Sequence, residues 1–473
     1  MQVGARAPRA ITAPPKFVKG PTLRHILVMT GTGAVGLMAI FLCDLANILF
    51  LSWQGDEAVV AAVGFASSIV FLTIAMGIGL SIAATSVVAP ALGAGRRMRG
   101  RRLSLNAHML TFLAASVLSF CIWLAIPRLL ALLGATGRAN ELANDYLRIL
   151  VPSLPLLAVA MTSASVLRSV GDARRAMNVT LIGAIVNTLA DVVLILGLGL
   201  GIHGAAIGSV IARVTMLGVG LYGTVIVHDL WGRLRIATLV ADTPALIAVA
   251  VPAVLTNIAT PIGNAYITYA MAPFGDDAVA GWAILGRLWP VAFGAIFALS
   301  GTVGPIIGQN YGAGAFDRVR RILTQSLLVS AAFTGIAWVL LAVLARPIAQ
   351  AFDARGETAE LIVFFCRVLA PLFVFLGALF VANATFNTLG RPHLSTALSW
   401  GRATLGTIPF VTLGAYLAGA PGALAGSMLG GVVFGALAVW LAYRWIDELQ
   451  SRSIRVAATR EADVPLPAQA SGL

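Results

Sequence analysis

Polar residues along this chain fall in short clusters, and the stretches between them stay apolar for longer than a soluble helix requires. Read between charged or Gly/Pro-rich breaks, the apolar stretches number twelve, at approximately 26–52, 58–91, 104–133, 142–167, 176–200, 203–228, 244–272, 278–307, 322–352, 359–388, 394–418 and 421–445. A helix rising about 1.5 Å per residue needs roughly 20 residues to cross a hydrocarbon core about 30 Å thick, and each stretch meets that length. Runs such as "AIGSVIARVTMLGVGLYGTVIV" are continuous rather than alternating, which excludes membrane strands of about ten alternating residues. The pattern predicts an all-α membrane protein with twelve transmembrane helices.

Composition agrees: the 473 residues are 59% hydrophobic and 11% charged, with a mean hydropathy of +0.92. The net charge of +13 raises the question of nucleic acid, and its distribution answers it. Of 32 Lys and Arg, 23 lie in or beside the N-terminal tail, the even-numbered connections and the C-terminal tail, against four at the odd-numbered connections. This is the positive-inside bias, which predicts that both termini are cytoplasmic and that no nucleic acid is bound. The runs "GRRMRGRR" and "DRVRR" read as topology determinants resting on anionic headgroups of the bilayer. Cys43, Cys121 and Cys366 lie inside apolar spans without CxxC spacing, so neither a disulfide framework nor a zinc site is expected. The first stretch follows Arg6, Arg9, Lys16, Lys19 and Arg24 as a secretion signal would, but its length and the spans that follow make it a retained helix.

The chain also repeats itself. "GAG" at Gly93 returns at Gly312, with Arg99, Arg101 and Arg102 in register with Arg318, Arg320 and Arg321 at an offset of 219. "GDEAV" at Gly55 returns as "GDDAV" at Gly275, "GAAIGS" at Gly204 as "GALAGS" at Gly422, and "SVGDARRA" around Gly171 faces "TLGRPHLS" around Gly390. Ordered matches at nearly one offset indicate two homologous halves. Six spans each make them parallel repeats about an axis along the membrane normal. The expected organisation is a basic tail (1–25), an N-lobe (26–228), a cytoplasmic linker (229–243), a C-lobe (244–446) and a second tail (447–473). In the linker, Trp231, Leu234 and Ile236 alternate with Arg233 and Arg235, as on an amphipathic surface segment. Two lobes around a central cavity suit alternating access, and without a Walker A motif the energy is expected from an ion gradient.

Acidic residues avoid the spans, with two exceptions. Asp44 lies in "AIFLCDLANILFLSW" and Asp191 in "GAIVNTLADVVLILGLGLG", one turn after Asn187 on the same helical face. An ionised carboxylate at that depth is normally neutralised, paired or coordinating a cation, so the pair is a candidate for binding a proton or a sodium ion. The alternative is that each merely fixes helix packing. At the repeat offsets Asp44 faces Asn264 and Asp191 faces Phe410, which confines the charge to the N-lobe. In the other half Tyr266, Trp282, Trp289 and Phe293 offer aromatic surface for a flat organic cation, against a packing role for each. Arg287 lies too deep for simple snorkelling and is expected on backbone carbonyls near Pro290, with substrate contact the second reading. His108 and His203 fit no metal spacing.

"GPIIGQNYGAGAFDRVRR", "VLRSVGDARRAMNVTLIGAIVNTLADVVLILGLGLGIHGAAIGS" and "FNTLGRPHLSTALSWGRATLGTIPF" together resemble the multidrug and toxic compound extrusion (MATE) family over roughly 25–446, and Asp44 with Asn187 and Asp191 looks like its DinF-like branch. The resemblance implies two six-helix lobes and proton- or sodium-coupled export of amphipathic, often cationic drugs. It also implies an N-lobe ion site of Asp44, Asn187 and Asp191, with Ser209 as the hydroxyl contributed by the sixth helix. The branch with acidic residues on the seventh and tenth helices is not matched, since those regions carry Asn257 and Asn383. Where some relatives bend their first helix at a proline, this chain reads "TGTGAVG". The expectation is a monomeric inner-membrane multidrug efflux transporter, without cofactor and not an enzyme. The rivals are a lipid-linked precursor flippase of related fold and an intramembrane enzyme.

Overall fold

The computed structural model describes residues 15–52 and 57–462, so Gly55 and Asp56 of the repeated "GDEAV" and the outer parts of both tails lie outside the described residues. The apolar stretches are helices: α1 Thr22–Ser52 and α2 Glu57–Gly93, then α3 Arg97–Leu132, α4 Gly137–Val170, α5 Ala173–Gly197, α6 Gly201–Val227 and α7 Ile236–Phe274. Helix α8 is broken into Asp276–Ala292 and Gly294–Gly312, bent by 53°. After α9 (Phe316–Ala351) and α10 (Gly356–Thr388), one apolar run changes direction at Ala418 and Gly419, whose backbone is not helical. It comprises α11 (392–417) and α12 (420–462). The fold is therefore twelve membrane helices, and α7 begins inside the segment read from sequence as a surface linker.

The duplication is visible in the backbone. Ala94, Gly95 and Arg96 donate their N–H groups to Pro90, Leu92 and Ala91, and Ala313, Gly314 and Ala315 repeat the pattern onto Gln309, Tyr311 and Asn310. Gly95 (φ 73°) and Gly314 (φ 71°) supply the left-handed residue that each corner needs. Each half thus turns through the same hydrogen-bonded corner.

Helices α1–α6 form one lobe and α7–α12 the other, with α1, α2, α7 and α8 at the seam. The seam is tight at its arginine-rich end. There a Cβ on Gly93 would stand 2.0 Å from the Gln309 carbonyl, and one on Gly312 2.0 Å from that of Pro90, so α2 and α8 cross backbone against backbone. Gln309 spans the lobes, donating to the Ser169 carbonyl at 2.7 Å and accepting from the Phe17 N–H at 2.9 Å. Residues before α1 act as a wedge in the same place: Lys16 reaches the Gly171 carbonyl at 2.8 Å, Phe17 is 1% exposed, and Arg318 donates to the carbonyls of Phe17 and Gly20. The "GQNYGAG" segment is thus a clamp.

Toward the other end the contacts thin out. Helix α1 follows α8 through Thr30 and Thr302, then Met38 and Gly294, and beyond the bend at Phe293 α8 keeps little contact with α1. Helix α7 meets the first lobe around Leu246, Val249 and Ala250, while Leu255, Ile262 and Tyr269 are exposed. The lobes therefore close on the arginine-rich side and diverge on the opposite one.

Asp172, in the corner between α4 and α5, ties that corner to the end of α6. It accepts from the Arg175 N–H as an N-cap, pairs with the Arg175 guanidinium, and meets His228 Nε2 at 2.8 Å. Burial opposes its charge, but His228 and Arg175 together hold the carboxyl well below the usual carboxylate range. A depressed value means stability that is fully present above the unfolded value of about 3.8 and lost as the pH falls below it. Asp172→Asn should cost about 1–2 kcal/mol in thermal-unfolding measurements near pH 6. The difference from wild type should shrink as the pH is lowered past about 3.8.

Candidate functional site

Asp191 sits in the last α-helical turn of α5 before a wide π turn over Val192–Gly197, and its side chain is fully buried. Two helices enclose it. From α1, Asn47 donates its amide to Asp191 Oδ2 at 2.9 Å, and one turn earlier Cys43 Sγ receives the amide of Asn187 at 3.1 Å. From α6, Gly208 exposes bare backbone: a Cβ there would lie 2.6 Å from Asp191 Oδ1 and 3.6 Å from Asn187 Oδ1. Those two oxygens are buried and accept no hydrogen bond from the described residues. Two orphaned acceptors beside one small space in a dry helix interface form a place for a positive charge, since an unpaired buried oxygen is costly and a cation or a proton satisfies it.

Around these oxygens stand further groups, some predicted and some not. Ser209, half-buried on α6, is within hydrogen-bonding reach of the Tyr146 phenol on α4. One turn on, Arg213 is 8% exposed and donates to the Leu150 carbonyl at 3.0 Å and to Ser153 at 2.7 Å. Asp44 departs from expectation in one respect. Cys43 and Asn47, four residues apart, take the face of α1 turned to α5, so Asp44 falls at the edge of that face and is exposed rather than sequestered. Sequence reasoning overlooked Cys43, Asn47 and Tyr146. For Asn47 the available signal was its place one turn after Asp44; for Tyr146 there was none, because only the fold brings α4 beside α6.

The other lobe lacks this arrangement. At the repeat position of Gly208, a Cβ on Gly426 would stand 2.1 Å from the Phe410 backbone oxygen. Where α5 and α6 hold a carboxylate between them, α11 and α12 touch backbone to backbone.

The candidate aromatics mostly belong to the core of the second lobe. Trp282 and Phe293 are 6% and 1% exposed, Phe293 stacks on Phe373 at 3.9 Å, and Trp289 packs edge-on to Trp282 at 5.2 Å. The reason is phase: Trp282, Leu285 and Trp289 share the face of α8 that meets its own lobe. Tyr266 is half-buried, with its hydroxyl 2.7 Å from Thr412. Arg287 makes none of the expected bonds near Pro290. It is exposed on the face of α8 opposite that core, without a hydrogen-bond or ion-pair partner among the described residues.

A two-lobed bundle joined at one end, with a polar site buried in one lobe, defines a membrane transporter. The MatE family description matches residues 34–193 and 252–413, and the chain belongs to the MATE family of multidrug efflux transporters. The two matched segments begin 218 residues apart and end 220 apart, which is the internal repeat again. Over 441 residues the chain is 30% identical to the "FAD transporter" of Shewanella oneidensis, covering 92% of this chain and 97% of the relative. It is 22% identical to the probable multidrug resistance protein NorM of Thermotoga maritima, covering 88% and 90%. A crystal structure of a mutant of the Vibrio cholerae MATE transporter VcmN superposes with a TM-score of 0.84 at 25% identity, covering 91% and 97%. These relatives are transporters, and the chain is a transporter rather than an enzyme.

Gly208→Ala tests the geometry of the orphaned oxygens. The added methyl meets the end of a side chain rather than backbone, so thermal stability should stay within about 1 kcal/mol of wild type. Displacement of Asp191 should appear as a lost infrared carboxyl response to sodium or pH. An unchanged carboxyl response would show that Gly208 does not border the site.

Proposed function

We propose that this protein is an ion-coupled exporter of small amphipathic compounds that works by alternating access, with Asp191, Asn187, Asn47 and Asp44 binding the coupling ion and Ser209 bordering the site. The single observation that carries this reading is the buried carboxylate of Asp191, whose Oδ1 stands orphaned beside that of Asn187, where the second lobe has Phe410 at the repeat position. Their all-oxygen character suits a proton or a sodium ion equally. With the arginine-rich side cytoplasmic, as the positive-inside bias expects, the clamp at Gln309 seals the inside and the diverging lobes open outward. An ion entering from outside then occupies the site, and cargo leaves. Ion and cargo need only prefer opposite states, each weakening the other's affinity by about 5- to 150-fold. Return to the inward state requires the Gln309 clamp and the Phe17 wedge to part.

In proteoliposomes with an imposed proton or sodium gradient, Asp191→Asn should abolish gradient-driven transport of a fluorescent organic cation. Asp44→Asn should reduce it by an order of magnitude, with both variants folded by thermal unfolding. Full transport by Asp191→Asn would remove the coupling assignment.

One observation favours a second reading of the cargo. Arg287 is an exposed cation on the face of α8 opposite its own core, without a partner among the described residues, which disfavours organic cations, and a relative carries the name "FAD transporter". Together they support a flat aromatic cargo bearing an anionic group, held by Arg287. Uptake of FAD and of the organic cation, measured in parallel, separates the two. If the cargo is anionic, Arg287→Gln should lower FAD uptake at least tenfold; if cationic, it should leave cation uptake intact or raised.

A further inference from the structure

Two recesses on the second lobe take no part in the ion site, and the first meets the seam only where Gln325 accepts from Thr22 of α1 at 2.6 Å. At the arginine-rich end, Asp317, Arg320, Arg321, Thr324 and Gln325 of α9 border a recess of about 430 Å³. One turn deeper, an apolar groove of about 460 Å³ begins at Leu327. Its floor is Val374, Phe375 and Ala378 of α10, and its far wall is Gly435, Ala436, Val439 and Trp440 of α12. The shape follows from small residues. A Cβ on Gly435 would stand 2.3 Å from the Phe375 carbonyl, so α12 lies hard against α10, while α9 and α12 meet through the hydroxyls of Thr324 and Tyr443 at 2.7 Å. Deeper than that contact a slot remains between α9 and α12, and the exposed flank of Trp440 lines it.

A lipid-facing apolar slot in a bilayer fills with hydrocarbon, and the charge at its mouth selects which. Arg320 is already paired with Asp447 and lies over the Tyr443 ring at 5.4 Å. Arg321 is exposed and has no hydrogen-bond or ion-pair partner among the described residues. Arg444, also exposed, lies over the Trp440 ring at 5.2 Å without a carboxylate partner among them. Asp317, at the same mouth, accepts from Gln450 at 3.1 Å. We propose that the groove binds one anionic phospholipid, its phosphate drawn to Arg321 and Arg444 and an acyl chain lying along Leu327, Phe375 and Trp440. Charge complementarity favours phosphatidylglycerol or cardiolipin over a zwitterionic lipid. The bound chain completes the packing between α9 and α12.

Native mass spectrometry of the full-length, delipidated protein, titrated with phosphatidylglycerol or with phosphatidylcholine of the same acyl chains, tests this. Wild type should retain phosphatidylglycerol in preference. Arg321→Gln and Arg444→Gln should each weaken that retention about fivefold, and Ala436→Trp, which fills the slot, should lose the bound lipid of either kind. Equal retention of both lipids by wild type, or unchanged retention by the double arginine variant, overturns the proposal. The arginine variants alter exposed side chains only, so their result stands even if Ala436→Trp fails to fold.

Discussion

A polar atom at hydrocarbon depth has no water to turn to, and this chain is arranged around that constraint. Most of its buried polar groups satisfy it locally, as when Ser, Thr and Asn side chains return hydrogen bonds to carbonyls one turn back, among them Thr224 to Gly220 and Asn257 to Ala253. Arg213 satisfies it at longer range, on Leu150 and Ser153. At Asp191 and Asn187 it is met only in part, with one oxygen of each left over. Other buried polar atoms are also left over, Asn383 and Asn387 Oδ1 among them, but at Asp191 the unmet group is a carboxylate, whose burial without a cation or a proton is the costlier.

Duplication lets the two lobes be compared at one interface: the first holds a buried carboxylate between two helices, and the second closes the same interface on backbone. Both halves inherit the same corners. In the second, glycines bring α11 and α12 into backbone contact, as at Gly414 with Gly422 and Gly406 with Gly430. In the first, Asp191 stands between α5 and α6 in the space where that contact would form. The conserved element of the two halves is the corner at their arginine-rich end, where the clamp of Gln309 on Ser169 and Phe17 joins them.

Much of this was legible in the residues. Spans, duplication and the pairing of Asn187 with Asp191 follow from hydropathy and from 3.6-residue periodicity, both local properties. The environment of Asp44 did not follow, because a one-residue step on α1 turns a side chain by about 100° and the sequence does not say which face meets α5. The aromatic residues of α8 misled for the same reason: Trp282 and Phe293 look available for a ligand in a list of residues, but they lie on the face that their own lobe buries.

By itself the sequence determined that the chain lives in lipid, that it crosses twelve times, that its two halves are copies and that only one half carries intramembrane carboxylates. Each of these depends on the solvent preference or order of residues, which needs no partner to be decided. Tertiary structure alone decided that Asn47 and Gly208 border Asp191, that Gln309 and Phe17 close one end of the seam, that Arg287 is exposed, and that α9 and α12 leave a slot between them. Those facts concern which helix faces meet, most of them far apart in the chain, and they are fixed by side-chain shape at the contact rather than by any local periodicity.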